Sequence, residues 1–428
     1  MFDSSRSLII HINKDDFFLA GIVYLLMFFS NDTYIFGTNH VEAFVAFPRF
    51  LMIIICLICT ALLIANERIN IPIKKMIPWL LMLISFVIVA NFNNDNFSRA
   101  TIKVLCMTSA FLLCLIIPFK KYCKAFVQAM TFIGICSISL TILTYVSPSL
   151  VRQLPSVVNT ANVRLYTIIV SGIDERSVGG IAAKCGGIFW EGGVYQMYLN
   201  LAICYVLFFW EEGKIRNRTL AVLGLALALT FSTTGYIACL WVLAVYSMLE
   251  KNDIRKPSKT VMIFPLLLLG IFGLYIVIMY TALGDVVFSK LFDTTHGSTM
   301  VREASVIINW ELMKEKPLTG WGMEVIPDEF ERRSYLSPLI YGWTRQNTNT
   351  LLYQFAAHGA VWGALFTIGT YNYCKLFSKK KTVVLGIFIM ILMLYIGENL
   401  MTSMLPYILI FYGFDYKEER KRMIDPIS

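Results

Sequence analysis

The chain has 428 residues, 57% of them hydrophobic and 15% charged, and a mean hydropathy of +0.65. Soluble domains carry roughly 25% charged residues, so this balance excludes a disordered chain, a secreted disulfide scaffold and a soluble enzyme with a single anchor. The 37 basic and 28 acidic residues leave a formal net charge of +9, and no polar block is long enough to fold apart from the apolar runs. The expectation is an all-α, polytopic integral membrane protein in which 1–428 form one membrane domain.

A helix needs about 20 apolar residues to cross a hydrocarbon core about 30 Å thick. Runs of that order occur near 16–35, 43–65, 76–92, 100–119, 123–146 and 188–210. The first of them follows Arg6 and Lys14 with no small-residue cleavage site and reads as a retained span. The stretch 218–249 is too long for one span and is interrupted at Ser232-Thr233-Thr234-Gly235, so it divides into two short helices. Runs near 260–281, 349–373 and 382–397, with a short helix over 400–414 containing Pro406, bring the total to about twelve transmembrane helices. Most of the ten cysteines sit inside these runs and Cys185 alone falls in a long polar loop, which argues against disulfide, zinc or redox roles.

Basic loops stay on the cytoplasmic face. A cytoplasmic start places Arg68/Lys74/Lys75, Lys120/Lys121/Lys124, Lys214/Arg216/Arg218, Lys251–Lys259, Lys375–Lys381 and the tail Lys417–Arg422 on that face together, so both termini are cytoplasmic. The positive charge is then a topology signal and implies no nucleic acid. Two long extracytoplasmic loops remain, 147–187 and 282–347, and any chemistry faces outward. The second contains a surface helix near 298–316, with Val301, Ala304, Ile308 and Met313 on or near one face. Pro317 and the turn-rich Leu318-Thr319-Gly320-Trp321-Gly322 end it.

Glu191, between Trp190 and Gly192-Gly193, stands at the mouth of the sixth span, where a carboxylate is costly unless paired or wet. A structural ion pair is the alternative reading. The outer loops keep Arg152, Arg164, Arg176, Lys184, Arg302, Arg332, Arg333 and Arg345, some of them candidates for a diphosphate because guanidinium groups fit phosphate oxygens bidentately. Acidic neighbours in the same loops offer these cations ordinary pairing instead. Arg345 and Asn349 share a face if the span's helix has begun by Arg345. His358 and His296 are weaker candidates, and the aromatics Trp190, Trp310, Trp321, Tyr335 and Trp343 suit either sugar stacking or the membrane interface. Glu398 lies at an outer helix break with a capping or pairing role. No P-loop, Rossmann glycine pattern, HExxH, GxSxG or DxD-type pair stands in a credible context, which disfavours nucleotide-driven transport and metal-dependent transfer.

Lys184 followed by Gly187-Ile188-Phe189-Trp190-Glu191, the Ser232–Gly235 break, and a loop helix through Trp310 into Pro317–Gly322 ahead of an Asn-initiated final group of spans resemble, together, the O-antigen polymerase and ligase superfamily. The resemblance implies a metal-independent glycosyltransferase of the GT-C type, without cofactor, that uses undecaprenyl-diphosphate-linked oligosaccharide in a bacterial cytoplasmic (inner) membrane, with a chain-length regulator as a further partner. Departures from the family pattern are Thr348-Asn349 in place of His-Asn, Ala357 in place of an acidic residue ahead of Gly359, and Gly192 in place of proline. The missing histidine points away from a ligase and toward a Wzy-type polysaccharide polymerase. Glu191 is then the catalytic base or the partner of an arginine. Lys184, Arg164, Arg176, Arg302 and Arg345 form the diphosphate pool, with Asn349, Trp190 and Trp321 as further substrate-binding candidates. A ligase of the same superfamily and a lipid-linked oligosaccharide transporter are the competing readings.

The sidedness is testable with single cysteines in a cysteine-free background. Asp328→Cys is expected to react with an impermeant thiol reagent on intact cells and Lys256→Cys to be protected; equal protection of both contradicts the twelve-span path.

Overall fold

A computed structural model describes residues 14–28, 33–34, 54, 58, 73–158, 164–168, 170–179, 183–250, 297–336, 344, 346–398, 400–401 and 403–424. Within them, fourteen helices and three short strands follow in chain order: α1 Lys14–Phe28, α2 Ile73–Phe92, α3 Phe97–Ile116, α4 Phe119–Val146, α5 Pro148–Val151, β1 Ser156–Val158, β2 Arg164–Ile168, β3 Ser171–Asp174, α6 Gly192–Phe209, α7 Lys214–Ala228, α8 Thr233–Glu250, α9 Gly297–Glu315, α10 Gly322–Leu336, α11 Thr350–Cys374, α12 Lys381–Gly397, α13 Leu405–Phe414 and α14 Tyr416–Ile424. Among the described residues α2, α3, α4, α6 and α11 are long and apolar enough to cross a membrane, and α8, α12 and α13 are shorter apolar helices. The expected spans 43–65 and 260–281 fall largely or wholly outside the described residues. The stretch 218–249 does divide where expected, into α7 and α8 about the turn 229–232.

The all-α expectation needs one addition. Residues 156–174 form an antiparallel sheet in the order β1-β2-β3, with Tyr166 opposite Ile173 and Val157 opposite Leu165. Tyr166 and Ile173 pack with Leu140, Val151, Val178 and Ala183 against the end of α4. Such short strands bury too little apolar surface to stand alone, so the sheet depends on this helix end.

One end of the bundle is closed by aromatic rings and by the tail. Phe119 is fully buried among Tyr205, Phe209, Tyr373 and Tyr412, and Tyr205 hydrogen-bonds Tyr373 at 2.6 Å. Pro118, which caps α4, cannot donate a backbone N–H, and the next amide, Phe119, donates to Glu419 of α14 at 2.7 Å. Lys75 pairs with Asp415 at the same end.

At the other end the connection 317–322 plugs a break in a span. The surface helix expected near 298–316 is α9, whose buried face is Ala304, Ile308 and Leu312, with Val301 and Met313 at its margins. This face packs on Ile326 and Phe330 of α10 and on Ala356 and Ala357 of α11. Burial of side chains such as Ile308 and Leu312 stabilises by about 1.5–3 kcal/mol each. Helix α11 is interrupted at Gly359, where φ is +78°. The break frees two backbone groups, and both are satisfied from the connection: Ala360 N donates to Pro317 O at 2.7 Å and Trp321 N donates to Ala356 O at 2.9 Å. A Cβ at Gly359 would overlap Leu318 O, and one at Gly320 would overlap Ala357 O. The Pro-Leu-Thr-Gly-Trp-Gly sequence is therefore a docking element for a broken helix.

Gly359→Ala puts a Cβ on a backbone with φ +78° and ψ 177°, a region nearly reserved for glycine, which costs about 1–3 kcal/mol, and also expels the connection. The purified variant is expected to unfold at a clearly lower temperature than the parent, whereas an unchanged melting curve would show that the plug is not needed.

Candidate active site

Four helix ends meet on the plugged side of the bundle. The segment 183–191 leading into α6 is held on three sides: Cys185 bridges Ile173 of β3 and donates its N–H to Leu229 O at the end of α7, while Tyr34 N donates to Ile188 O. This fixes Glu191 in extended conformation as the cap of α6. A Cβ on Gly192 would lie 2.9 Å from Thr230 O, and one on Gly193 would lie 2.8 Å from Cδ of Glu398, so the two glycines let the α7–α8 turn and a carboxyl group reach the first turn of α6.

Glu398 caps the end of α12. The last carbonyls of that helix have no intrahelical partners, and neighbouring side chains supply them. Thr348 Oγ1 donates to Ile396 O at 3.5 Å, Arg302 Nε of α9 donates to Gly397 O at 3.4 Å, and Thr350 Oγ1 of α11 donates to Glu398 O at 2.6 Å. A cation is favourable at a helix C-terminus, and Arg302 also stands 3.7 Å from Glu398 Oε1. The start of α8 completes the group. Thr234 lies under Gly397, and Gly235 lets Gln196 of α6 approach, where Asn200 binds Gly235 O at 3.1 Å.

Glu191 and Glu398 both stand at this junction, just outside the helices they cap, with the Glu398 carboxyl against Gly193. Burial pushes the Glu398 carboxyl well above the usual carboxylate range and the Glu191 charge pushes it further, against the pull of Arg302. Burial also raises Glu191, opposed by the charges of Arg302 and Lys184. Glu191 is at the same time solvent-accessible while Glu398 is buried. The arrangement offers one accessible carboxyl, one sealed carboxyl and two cations.

Of the residues singled out from sequence, Glu191 caps α6 and Arg302 reaches Glu398 at the adjoining end of α12, while the charges of Arg302 and Lys184 both favour an ionised Glu191. Arg164 pairs with Glu175 at 3.9 Å and Arg176 with Asp174, both exposed on the small sheet. Trp190 is partly buried against the main core. Trp321 donates to Leu312 O at 3.0 Å under the Lys316 ammonium, which holds it in the plug. Helix α11 starts at Thr350, so Asn349 is its cap, accepting from Leu352 N at 2.9 Å, and not a residue inside a helix already under way. Arg345, Trp343 and His296 lie outside the described residues. Among the described residues no group of three or more His, Cys, Asp and Glu side chains could hold a metal ion.

Sequence reasoning had Glu398 as a cap or ion-pair partner and left it out of the site. Its signal was available, since a carboxylate closing an apolar run is as costly as Glu191 at the start of one. It also passed over Lys103, buried within α3, whose ammonium bonds Gln354 at 3.3 Å and His358 and lies 5.4 Å from the Trp362 ring centre. His358 is thus a packed partner of Lys103 beside the break in α11.

Residues 219–368 match the family described as Wzy_C, O-antigen ligase. The resemblance to the O-antigen polymerase and ligase superfamily is borne out by this match, which supports a glycan-transferring membrane enzyme. The matched segment contains Ser232–Gly235, Arg302, the plug and the start of α11, whereas Lys184, Glu191 and Glu398 lie outside it. Comparison with curated proteins finds no match.

Gly193→Ala crowds Glu398 directly, while at Gly213, at the opposite end, an added methyl would meet no atom within 4 Å, so Gly213→Ala serves as control. Overpacking of this kind costs about 1–3 kcal/mol. Gly193→Ala is expected to melt below Gly213→Ala in detergent; equal melting temperatures would show that Glu398 relocates freely.

Proposed function

From the segment shared with the O-antigen polymerase and ligase superfamily, we propose that this chain is a Wzy-type polysaccharide polymerase. It transfers a growing glycan from undecaprenyl diphosphate to a sugar hydroxyl of a second lipid-linked repeat unit, on the outer face of a bacterial cytoplasmic membrane. The observation that carries the reading is Glu191 at the cap of α6 with the Arg302–Glu398 pair packed against the first turn of the same helix. Three helix N-termini, those of α6, α8 and α11, touch Gly397–Glu398 there and add partial positive charge.

The acceptor hydroxyl attacks the anomeric carbon of the donor sugar and gives its proton to the Glu191 carboxylate. The bond from that carbon to the diphosphate oxygen breaks, and the lipid diphosphate departs with the electron pair. Arg302 and Lys184 offset the charge that develops on it, a role that a metal ion fills in other transferases. Arg345 belongs to the same proposal by sequence. The histidine missing at position 348 favours this reading over the ligase, although the matched family carries the ligase description.

A general base contributes about 10²–10⁴-fold in rate. Glu191→Gln is expected to insert and purify normally yet leave lipid-linked glycans at a single repeat, and Arg302→Lys to lose at least about tenfold in turnover because a planar donor is replaced by a point charge. Normal ladders from Glu191→Gln at normal expression would remove Glu191 from the mechanism.

A further inference from the structure

Lys103 of α3 is a buried cation for which glycan transfer at the helix ends has no use. Its ammonium donates to Gln354 Oε1 at 3.3 Å and to His358 Nε2, and it faces the rings of Tyr353 and Trp362 at 5.7 and 5.4 Å. Gln354 Oε1 also accepts from Trp362 Nε1 at 2.8 Å, so two donors fix which end of that amide is oxygen. Two lone pairs and two π-faces suit an ammonium. What the surroundings lack is a negative charge. Among the described residues no carboxylate pairs with Lys103: Asp95, ahead of the first turn of α3, keeps Oδ1 on Glu324 N, and Glu324 pairs with Arg99. A charged side chain inside a span is costly and points to a functional partner.

The hydrogen bonds around Lys103 are unbalanced in the same sense. A lysine supplies three N–H donors, a glutamine amide supplies two, and an imidazole whose Nε2 accepts supplies one at Nδ1. The acceptors within the cluster are Gln354 Oε1 and His358 Nε2, and both are taken. Left without a partner among the described residues are one ammonium N–H, Gln354 Nε2 and His358 Nδ1, the last two on fully buried side chains. Gln354 and His358 are one turn apart on α11 and both reach the same ammonium, so these donors belong to one cluster. A water molecule accepts two such bonds and leaves the charge unanswered, whereas an anion answers both deficits.

We propose that Lys103, Gln354 and His358 form a site for one small monovalent anion, of which chloride is the simplest. The cluster offsets a single charge, too little for a diphosphate. His358, fully buried among the rings of Phe86, Tyr353 and Trp362, is beyond the reach of a sugar. The ion ties α3 to the first half of α11 immediately before the break at Gly359. Thr350, which holds Glu398 O, opens the same half-helix one turn ahead of Gln354, so the ion also steadies the support of that helix end. None of this depends on the polymerase reading.

The test melts the purified parent, Lys103→Met and Gln354→Glu in detergent at constant ionic strength, while sodium gluconate is replaced by sodium chloride or sodium bromide. The parent is expected to gain several degrees, saturably. Gln354→Glu puts a carboxylate beside Lys103 and still accepts from Trp362, so it should melt at or above the parent in gluconate and gain nothing from either halide. Lys103→Met removes the cation and should lose the halide response as well. No halide response in the parent would overturn the proposal. An equal response in Gln354→Glu, meaning an adventitious ion only, would also overturn it, and so would a Gln354→Glu that melts well below the parent in gluconate.

Discussion

A carboxylate moved from water into a recess between helix ends must be offset by a proton, a cation or several donors. Here two carboxyls, Glu191 and Glu398, stand at adjoining helix ends. Like charges 4 Å apart repel by roughly 4 kcal/mol at an effective dielectric near 20, a large fraction of the marginal stability of a folded chain. The surrounding residues answer that cost. Arg302 lies between the helix end and the acid, Gly193 opens the space, and Thr348 and Thr350 take up carbonyls that would otherwise add negative charge at the end of α12. Removing any one of these leaves the pair short of an offset.

Helix α9 connects this junction to the broken span. Arg302 stands in its second turn, and Pro317 follows its last, roughly 22 Å away at 1.5 Å per residue. Along the same helix, Ala304, Ile308 and Leu312 bind α10 and α11, and Trp321 returns to Leu312 O. The position of the cation and the closure of the α11 break are thus set by one rigid element. A second polar contact fixes the far edge, where Glu324 N donates to Asp95 Oδ1 at 3.0 Å and Arg99 pairs with Glu324 at 3.2 Å across the α2–α3 turn.

The helices were legible because apolar length is a strong signal, and the division of 218–249 was legible because Ser232–Gly235 interrupts it. The sheet at 156–174 was not. Its strands have three to five residues and no clean alternation, and Arg164-Leu-Tyr-Thr-Ile buries three successive positions. The surface helix at 297–315 was visible from its periodicity, but α10 has Pro327 inside and a polar face that hides it. For the site, Glu191 was found by the cost of a charge at a span mouth, and Arg302 as one of several outer-loop guanidinium groups suited to a diphosphate. Glu398 escaped because the helix turn it packs against lies about two hundred residues away, and spacing along the chain says nothing about pairs formed by helix packing. Trp321 could not be separated from a sugar-stacking residue by sequence, since the plug exists only once α11 is broken at Gly359.

The most direct measurement is a density map of the protein in lipid with a non-hydrolysable undecaprenyl-diphosphate repeat unit bound. The diphosphate is expected against Arg302 and Lys184, with a hydroxyl of the acceptor sugar within about 2.6–3.2 Å of Glu191. A diphosphate seated instead beside Lys103, or at the opposite end near Lys120 and Lys121, would contradict the assignment of the helix ends at Glu191 and Glu398 as the place where glycans are joined.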